Sequence, residues 1–254
     1  MTDTQTPDPE APVRLSREGA VANLTLARPY QLNALSPRLI EEALQIVEAV
    51  AASDARVLIL AGEGKSFSAG VDLKAAAATG FGGEAARKFS VQARQLVRLL
   101  ETMPQATIAR VTGHCFTGGL ELALGCDFIV AADDAVFCDT HAKLGIRPGW
   151  GLSQRLPRRI GAVRAKEMSF TARRVSAREA LVIGLVLDVV RLENLDDRIA
   201  ELADAIVAME PTSIAAYKAL YRAAETHTLD DGLEYEATAR FPRSGRPLKL
   251  PDKS

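Results

Sequence analysis

The chain has 254 residues, 48% of them hydrophobic and 25% charged, with a formal net charge of -1. That size supports one large domain with a sizeable core, and that balance provides no basic field for nucleic acid or an anionic membrane surface. Three cysteines (Cys115, Cys126 and Cys138) without CxxC spacing argue against a disulfide framework or a metal site and fit a reducing, cytoplasmic setting.

Residues 1–12 are rich in Thr, Asp and Pro. They lack the cationic start and apolar centre of a signal peptide and are expected to form a disordered tail. No uninterrupted apolar run reaches the ~18 residues of a membrane span. Residues 20–26 place Ala22, Leu24 and Leu26 on one face and read as a strand ended by Arg28-Pro29. Ser36-Pro37 opens a helix with an N-cap serine and a first-turn proline. Ile40, Ala43, Leu44, Val47 and Val50 give that helix an apolar stripe.

Residues 57–61 are apolar throughout, as suits a strand buried on both faces. They lead into a small-residue loop, Gly62-Glu-Gly-Lys-Ser-Phe-Ser-Ala-Gly-Val-Asp-Leu73. The Ala/Gly-rich stretch 75–83 is expected to be mobile. A second amphipathic helix follows over 84–101, with Phe89, Ala93, Leu96, Leu99 and Leu100 inward, and Pro104 stops it. Strands are expected at 107–111, 128–132, 135–138 and 187–190. Helices are expected over 152–168, from the capping box Ser176-Ala-Arg-Glu179 to Gly184, and over 195–209 and 213–225. The alternation of strands and helices favours a layered α/β core over 13–194, with a helical C-terminal module over 195–254.

The chemistry concentrates in Val111-Thr-Gly-His-Cys-Phe-Thr-Gly-Gly-Leu-Glu-Leu-Ala-Leu-Gly-Cys-Asp127, a strand end, a glycine turn and a short helix. Gly118 and Gly119 expose unpaired N–H groups where the helix starts, and Glu121 in its first turn points back to the same opening. The loop Phe67-Ser-Ala-Gly70 offers a second N–H, at Ala69. Two such donors converging on one oxygen form an oxyanion hole, each donor worth roughly 2.7–4 kcal/mol in acyl-transfer enzymes. Glycine pairs before helices are also packing devices, so the pattern alone leaves both uses open. His114 and Cys115 are strand neighbours on opposite faces, a poor geometry for a thiol nucleophile. His227, near a helix end, reads as a partner of the helix dipole.

Five blocks together carry a family resemblance: Arg28-Pro-Tyr-Gln-Leu-Asn-Ala-Leu35, Phe67-Ser-Ala-Gly-Val-Asp-Leu73, Gly113 to Asp127, Leu144-Gly-Ile-Arg-Pro-Gly-Trp-Gly151 with Arg155-Leu156, and Ala177-Arg-Glu-Ala-Leu-Val-Ile-Gly-Leu-Val186. In order and spacing the chain resembles the enoyl-CoA hydratase/isomerase (crotonase) superfamily over roughly residues 13–227. The resemblance implies an α/β spiral of ββα units with a helical C-terminal trimerisation region, assembled as a trimer or hexamer. It implies an acyl-CoA thioester substrate whose oxygen is held by the N–H groups of Ala69 and Gly118, with no cofactor beyond the coenzyme A of the substrate. Gln31, Leu32, Ala69, Gly70, Val71, Asp72 and Leu73 match positions lining CoA, and Trp150 lies near the expected acyl end.

Glu121 falls where hydratases of this family hold the water that adds to the β-carbon. Their second glutamate, four residues before the glycine that is here Gly145, is replaced by His141. A neutral imidazole can position water or protonate the α-carbon, and Asp139, two residues earlier, can orient it. The alternative is that His141 only shapes the acyl pocket. The expected activity is hydration of a 2-enoyl-CoA; the alternatives are double-bond isomerisation, or a catalytically impaired acyl-CoA-binding protein.

Overall fold

The computed structural model describes residues 11–79 and 83–242. The tail expected over 1–12 lies outside them up to residue 10, and Pro12 already accepts a hydrogen bond from the Ala27 N–H at 2.8 Å. The first two strands, β1 (Val13–Glu18) and β2 (Val21–Leu26), form an antiparallel hairpin, of which the sequence pattern exposed only the second arm. A short 3₁₀ turn at Pro29–Gln31 leads to α1 (Pro37–Ala51). Ser36 Oγ caps that helix by accepting the Leu39 N–H at 3.2 Å. Its stripe of Leu39, Ile40, Ala43, Leu44, Val47 and Val50 is buried, and each of the larger aliphatics contributes about 1.5–3 kcal/mol.

The chain continues through β3 (Val57–Gly62), α2 (Leu73–Thr79), α3 (Glu84–Thr102), β4 (Ala106–Val111), β5 (His114–Phe116) and α4 (Gly118–Leu124). The segment expected to be mobile is helical as far as Thr79, and residues 80–82 lie outside the description. Alanine is the strongest helix former, and Asp72 Oδ1 accepts the Ala75 N–H at 3.1 Å to start the helix. Next come β6 (Phe128–Ala132), β7 (Val136–Cys138), α5 (Leu152–Ile160) and α6 (Ala162–Thr171). The single helix expected over 152–168 is split by Gly161, whose φ of 80° no helix interior holds. The last elements are β8 (Val175–Ser176), α7 (Ala177–Val182), β9 (Asp188–Val190), α8 (Leu195–Val207), α9 (Pro211–Ala224) and α10 (Leu229–Thr238). No helix of the described residues is long and apolar enough to cross a membrane.

Six strands form one sheet in the order β1-β2-β3-β4-β6-β9, parallel from β2 onward. After each of β2, β3, β4 and β6 the chain contributes a short extended segment to a second layer. These segments are Leu35, Ser68 to Val71, β5 and β7, joined by parallel bridges Leu35↔Val71 and Ser68↔Cys115 and by β5–β7 pairing. This is the spiral of ββα turns that the resemblance implied. Its second layer brings stretches far apart in sequence side by side.

The run at β3 is buried on both faces. Leu58 and Leu60 enter the core beneath α1 and α3, whereas Val57 and Ile59 meet Leu195, Ile199 and Ala203 of α8 on the other face. Alternation with period two divides one apolar strand between two cores. Helix α8 thus seals the outer face of the sheet.

Candidate active site

Thr117 turns the chain from β5 into α4 with φ 50° and ψ -109°, a conformation that costs a non-glycine residue of the order of 1–3 kcal/mol. Two bonds hold it there: its N–H donates to Cys138 O at 2.9 Å, and its hydroxyl meets that of Thr140 at 2.5 Å. The turn leaves Gly118 as the first helical residue. A Cβ at Gly118 would stand 2.7 Å from Trp150 Cζ3, so glycine is required for the indole to lie against the helix start. Among the described residues the Gly118 N–H has no acceptor.

The expectation for Ala69 is not met. Its N–H donates to Leu32 O at 2.9 Å and is therefore spent inside the fold. The N–H left without a partner on this loop is two residues further on. Leu35 pairs with Val71 through the flanking groups, its N–H donating to Gly70 O (2.8 Å) and its carbonyl accepting from Asp72 N–H (3.0 Å). In a parallel bridge the central residue's own N–H faces the other way. For Val71 that is the side of α4, where a Cβ on neighbouring Gly70 would lie 3.5 Å from Gly118 N. The Val71 N–H has no acceptor among the described residues.

Glu121, Asp139 and His141 are only 2%, 2% and 6% exposed, so each needs partners. Glu121 Oε1 accepts two backbone N–H groups, from Trp150 at 2.8 Å and Leu152 at 3.1 Å. Its other oxygen faces His141 Nε2 at 3.9 Å. Across the ring, His141 Nδ1 is 2.6 Å from Asp139 Oδ1, which also accepts the His141 N–H at 3.1 Å. Burial pushes the Glu121 carboxyl above its ordinary value; the two N–H bonds and His141 pull it back only in part. Burial pushes Asp139 up too, but the bonds from the His141 ring and the Ser169 hydroxyl outweigh it and hold Asp139 below the usual carboxylate range. An ionised Asp139 fixes the proton on Nδ1 and leaves Nε2 for chemistry. The spacing Asp139-x-His141 does bring the two together. They meet just past the end of β7, where His141 has helical backbone angles, and not along a strand.

The CoA-facing candidates divide. Leu32 and Leu73 are half exposed, Gln31 is exposed, and the loops carrying them run side by side through the Leu32–Ala69 and Leu35–Val71 pairings. Asp72 is taken up structurally, by its cap on α2 and a 2.9 Å ion pair with Arg28. Trp150 is buried; its ring stacks edge-on with Phe89 at 5.4 Å, and its main service to the site is the N–H that holds Glu121.

The sequence pattern missed Asn33, which is fully buried with φ 53°. Its Oδ1 accepts the Arg28 N–H (2.9 Å), and its Nδ2 donates to Glu63 O (3.0 Å) and Ser66 O (2.6 Å), clamping the loop before α1 to the loop after β3. Asparagine's tolerance of left-handed backbone was the available signal. His114 turns toward Ser66 Oγ (2.9 Å) and away from Cys115, whose buried thiol is pushed well up by desolvation.

The sequence profile of the Enoyl-CoA hydratase/isomerase family matches residues 16–241. The chain belongs to this family. The short-chain-enoyl-CoA hydratase of Clostridium acetobutylicum is 36% identical over 230 residues, covering 89% of this chain and 87% of that protein. The crystal structure of an enoyl-CoA hydratase from Bacillus anthracis superposes with a TM-score of 0.85 at 37% identity, covering 89% of this chain and 88% of that one. A chain from Thermobifida fusca, solved in complex with acetoacetyl-CoA, gives a TM-score of 0.81 at 29% identity, over 90% of this chain and 92% of that one. The protein is therefore an enzyme of the hydratase/isomerase family. Within that family its Glu121–His141–Asp139 arrangement sets one carboxylate against an imidazole.

Proposed function

We propose that the protein adds water reversibly across the 2,3 double bond of an acyl-CoA thioester. The observation that carries this is the 3.9 Å gap between Glu121 Oε2 and His141 Nε2. It is too long for a direct hydrogen bond and short enough for one water to touch both groups.

The N–H groups of Val71 and Gly118 receive the thioester oxygen and stabilise the negative charge that develops on it. Glu121 takes a proton from the water as its oxygen bonds to the β-carbon, giving an enolate. The proton held by Glu121 then passes to the α-carbon, relayed through His141 Nε2 while Asp139 holds the ring, and the Glu121 carboxylate is restored. A carboxylate raised by burial is a stronger base near neutral pH than an exposed one. The reaction balances with water and the enoyl thioester alone, and coenzyme A belongs to the substrate. Support comes from the relatives named hydratases and from the buried row Asp139–His141–Glu121, which an idle binding protein has no need to keep.

Assembly as a trimer or hexamer is part of the same proposal. Val163, Phe170, Val182, Tyr221 and Leu229 are all 69% or more exposed on the helices that follow α5, apolar surface that contact with further copies would cover. Light scattering on the purified protein tests it.

The activity is tested by following loss of the conjugated double bond of crotonyl-CoA against conjugation of a 3-enoyl-CoA. Hydration of the first with no conjugation of the second supports the proposal. The reverse pattern makes the enzyme an isomerase, and no turnover of either contradicts both.

A further inference from the structure

A cleft of about 550 Å³ opens between α3 and the loop before α5. Its lining includes Ser90, Arg94, Arg98, Arg147, Trp150 and Arg155. Trp150 links the cleft to the site: it lines the cleft, its ring lies against Gly118, and its N–H holds Glu121. Ser90 Oγ, 3.7 Å from where a Gly149 Cβ would be, brings α3 close against the loop.

The four arginines are not equivalent. Arg155 is bound to Glu101 through Nε (3.2 Å) and Nη2 (2.9 Å) and to Trp150 O (3.1 Å), while Arg98 reaches the same Glu101 at 3.6 Å. One carboxylate thus accounts for two guanidiniums. Arg94 and Arg147 face the cleft with no acidic partner among the described residues. Gly151 belongs to the same construction: a Cβ there would fall 1.9 Å from Arg155 Nη1, so the absence of a side chain lets that guanidinium lie against the loop.

We propose that this cleft receives the far end of the acyl group and that the substrate is an acyl-CoA bearing a carboxylate at the end of its chain. The inference rests on the hydration proposed above. With the thioester oxygen at Val71 and Gly118 and the β-carbon at Glu121, the remaining carbons run past the Trp150 ring into the cleft. A planar guanidinium matches a carboxylate with two parallel bonds, and two uncompensated guanidiniums favour an anion over a methyl group there. Each such contact alone is weak at an exposed position, so the expected preference is about tenfold, not a thousandfold.

The test uses acyl-CoAs that cannot be hydrated, so that binding is read apart from turnover. Calorimetry on the intact protein compares adipyl-CoA with hexanoyl-CoA at low and high salt. Adipyl-CoA should bind about tenfold tighter at low salt, the advantage should shrink as salt screens it, and the double substitution Arg94→Gln/Arg147→Gln should bring the affinity ratio to about one. Equal binding of the two ligands, or a preference that survives the double substitution, overturns the distal carboxylate while leaving hydration intact. If neither ligand binds, the CoA site and the hydration proposal fail together.

Discussion

His141 Nε2 faces Glu121 Oε2 at 3.9 Å while His141 Nδ1 is pinned to Asp139 at 2.6 Å, so the ring sits between two buried carboxylates that differ in kind. Asp139 is held ionised by its bonds, and Glu121 is pushed toward holding a proton by burial. Environments that drive two carboxyls apart assign them different duties. Those are the orienting and reacting duties proposed above for Asp139 and Glu121.

If Asp139 acts only through His141, the two substitutions cannot add. Asp139→Asn should lower kcat on crotonyl-CoA on the order of 10²-fold, a typical size for loss of a positioned proton donor. Asp139→Asn placed in a His141→Ala background should change kcat by less than twofold. A full additive loss in the double variant would show that Asp139 works independently of the ring.

The raised Glu121 carboxyl predicts two pH effects of definite sign. As the base, Glu121 must be ionised, so the acidic limb of kcat/KM should lie above the ordinary glutamate range. For stability, the folded protein keeps this proton to higher pH than the unfolded chain, so stability falls as pH rises from the free-glutamate value through the folded one. Thermal melts of wild type and Glu121→Gln should agree at low pH, with the variant gaining as pH rises to neutral. Asp139 works in the opposite sense, its contribution being lost as pH falls through its depressed value, and it is common to both proteins.

Gly118→Ala forces a Cβ to within 2.7 Å of the Trp150 ring. The shift reaches Glu121 through the Trp150 N–H and displaces the Gly118 N–H itself. A loss of 10²–10³ in kcat with an unchanged circular dichroism spectrum is expected, the size seen when one oxyanion donor is removed. Val71 cannot be tested by its side chain, because the role proposed for it is played by the backbone.

Asn33→Ala leaves the Arg28 N–H and the carbonyls of Glu63 and Ser66 without their partner. One buried group left unpaired costs about 1–3 kcal/mol, so a loss near the top of that range is expected in urea unfolding. The clamped loops carry Gln31 and Leu32, so KM for the acyl-CoA should rise more than kcat falls.

Much of this site is legible in the chain because its determinants are local. Ser36 caps α1, the glycine pair exposes an N–H, and Asp139 lies two residues from His141; each is written within a few residues. The donor on the other loop is not local. Whether Ala69 or Val71 points its N–H into the site depends on which residue pairs with Leu35, more than thirty positions earlier, and a change of register turns every backbone group to the other side. Asn33 escaped because the two carbonyls it binds, those of Glu63 and Ser66, sit on a distant loop. The sealing of the outer sheet face by α8 was hidden for a related reason: Leu195, Ile199 and Ala203 make an ordinary helical stripe, and nothing in that stripe names the strands it covers. Gly161 was readable in principle, as the single residue between α5 and α6 whose backbone no continuous helix permits.

The central claim is that Glu121, held by Trp150 and Leu152, delivers water to an enoyl thioester. It is tested most directly by crotonyl-CoA hydration in wild type and Glu121→Gln, the substitution that keeps both N–H bonds available to an oxygen while removing the base. Steady loss of the conjugated double bond is expected with wild type and a rate at least 10²-fold lower with Glu121→Gln, with acyl-CoA affinity retained. Hydration by Glu121→Gln at the wild-type rate would contradict it.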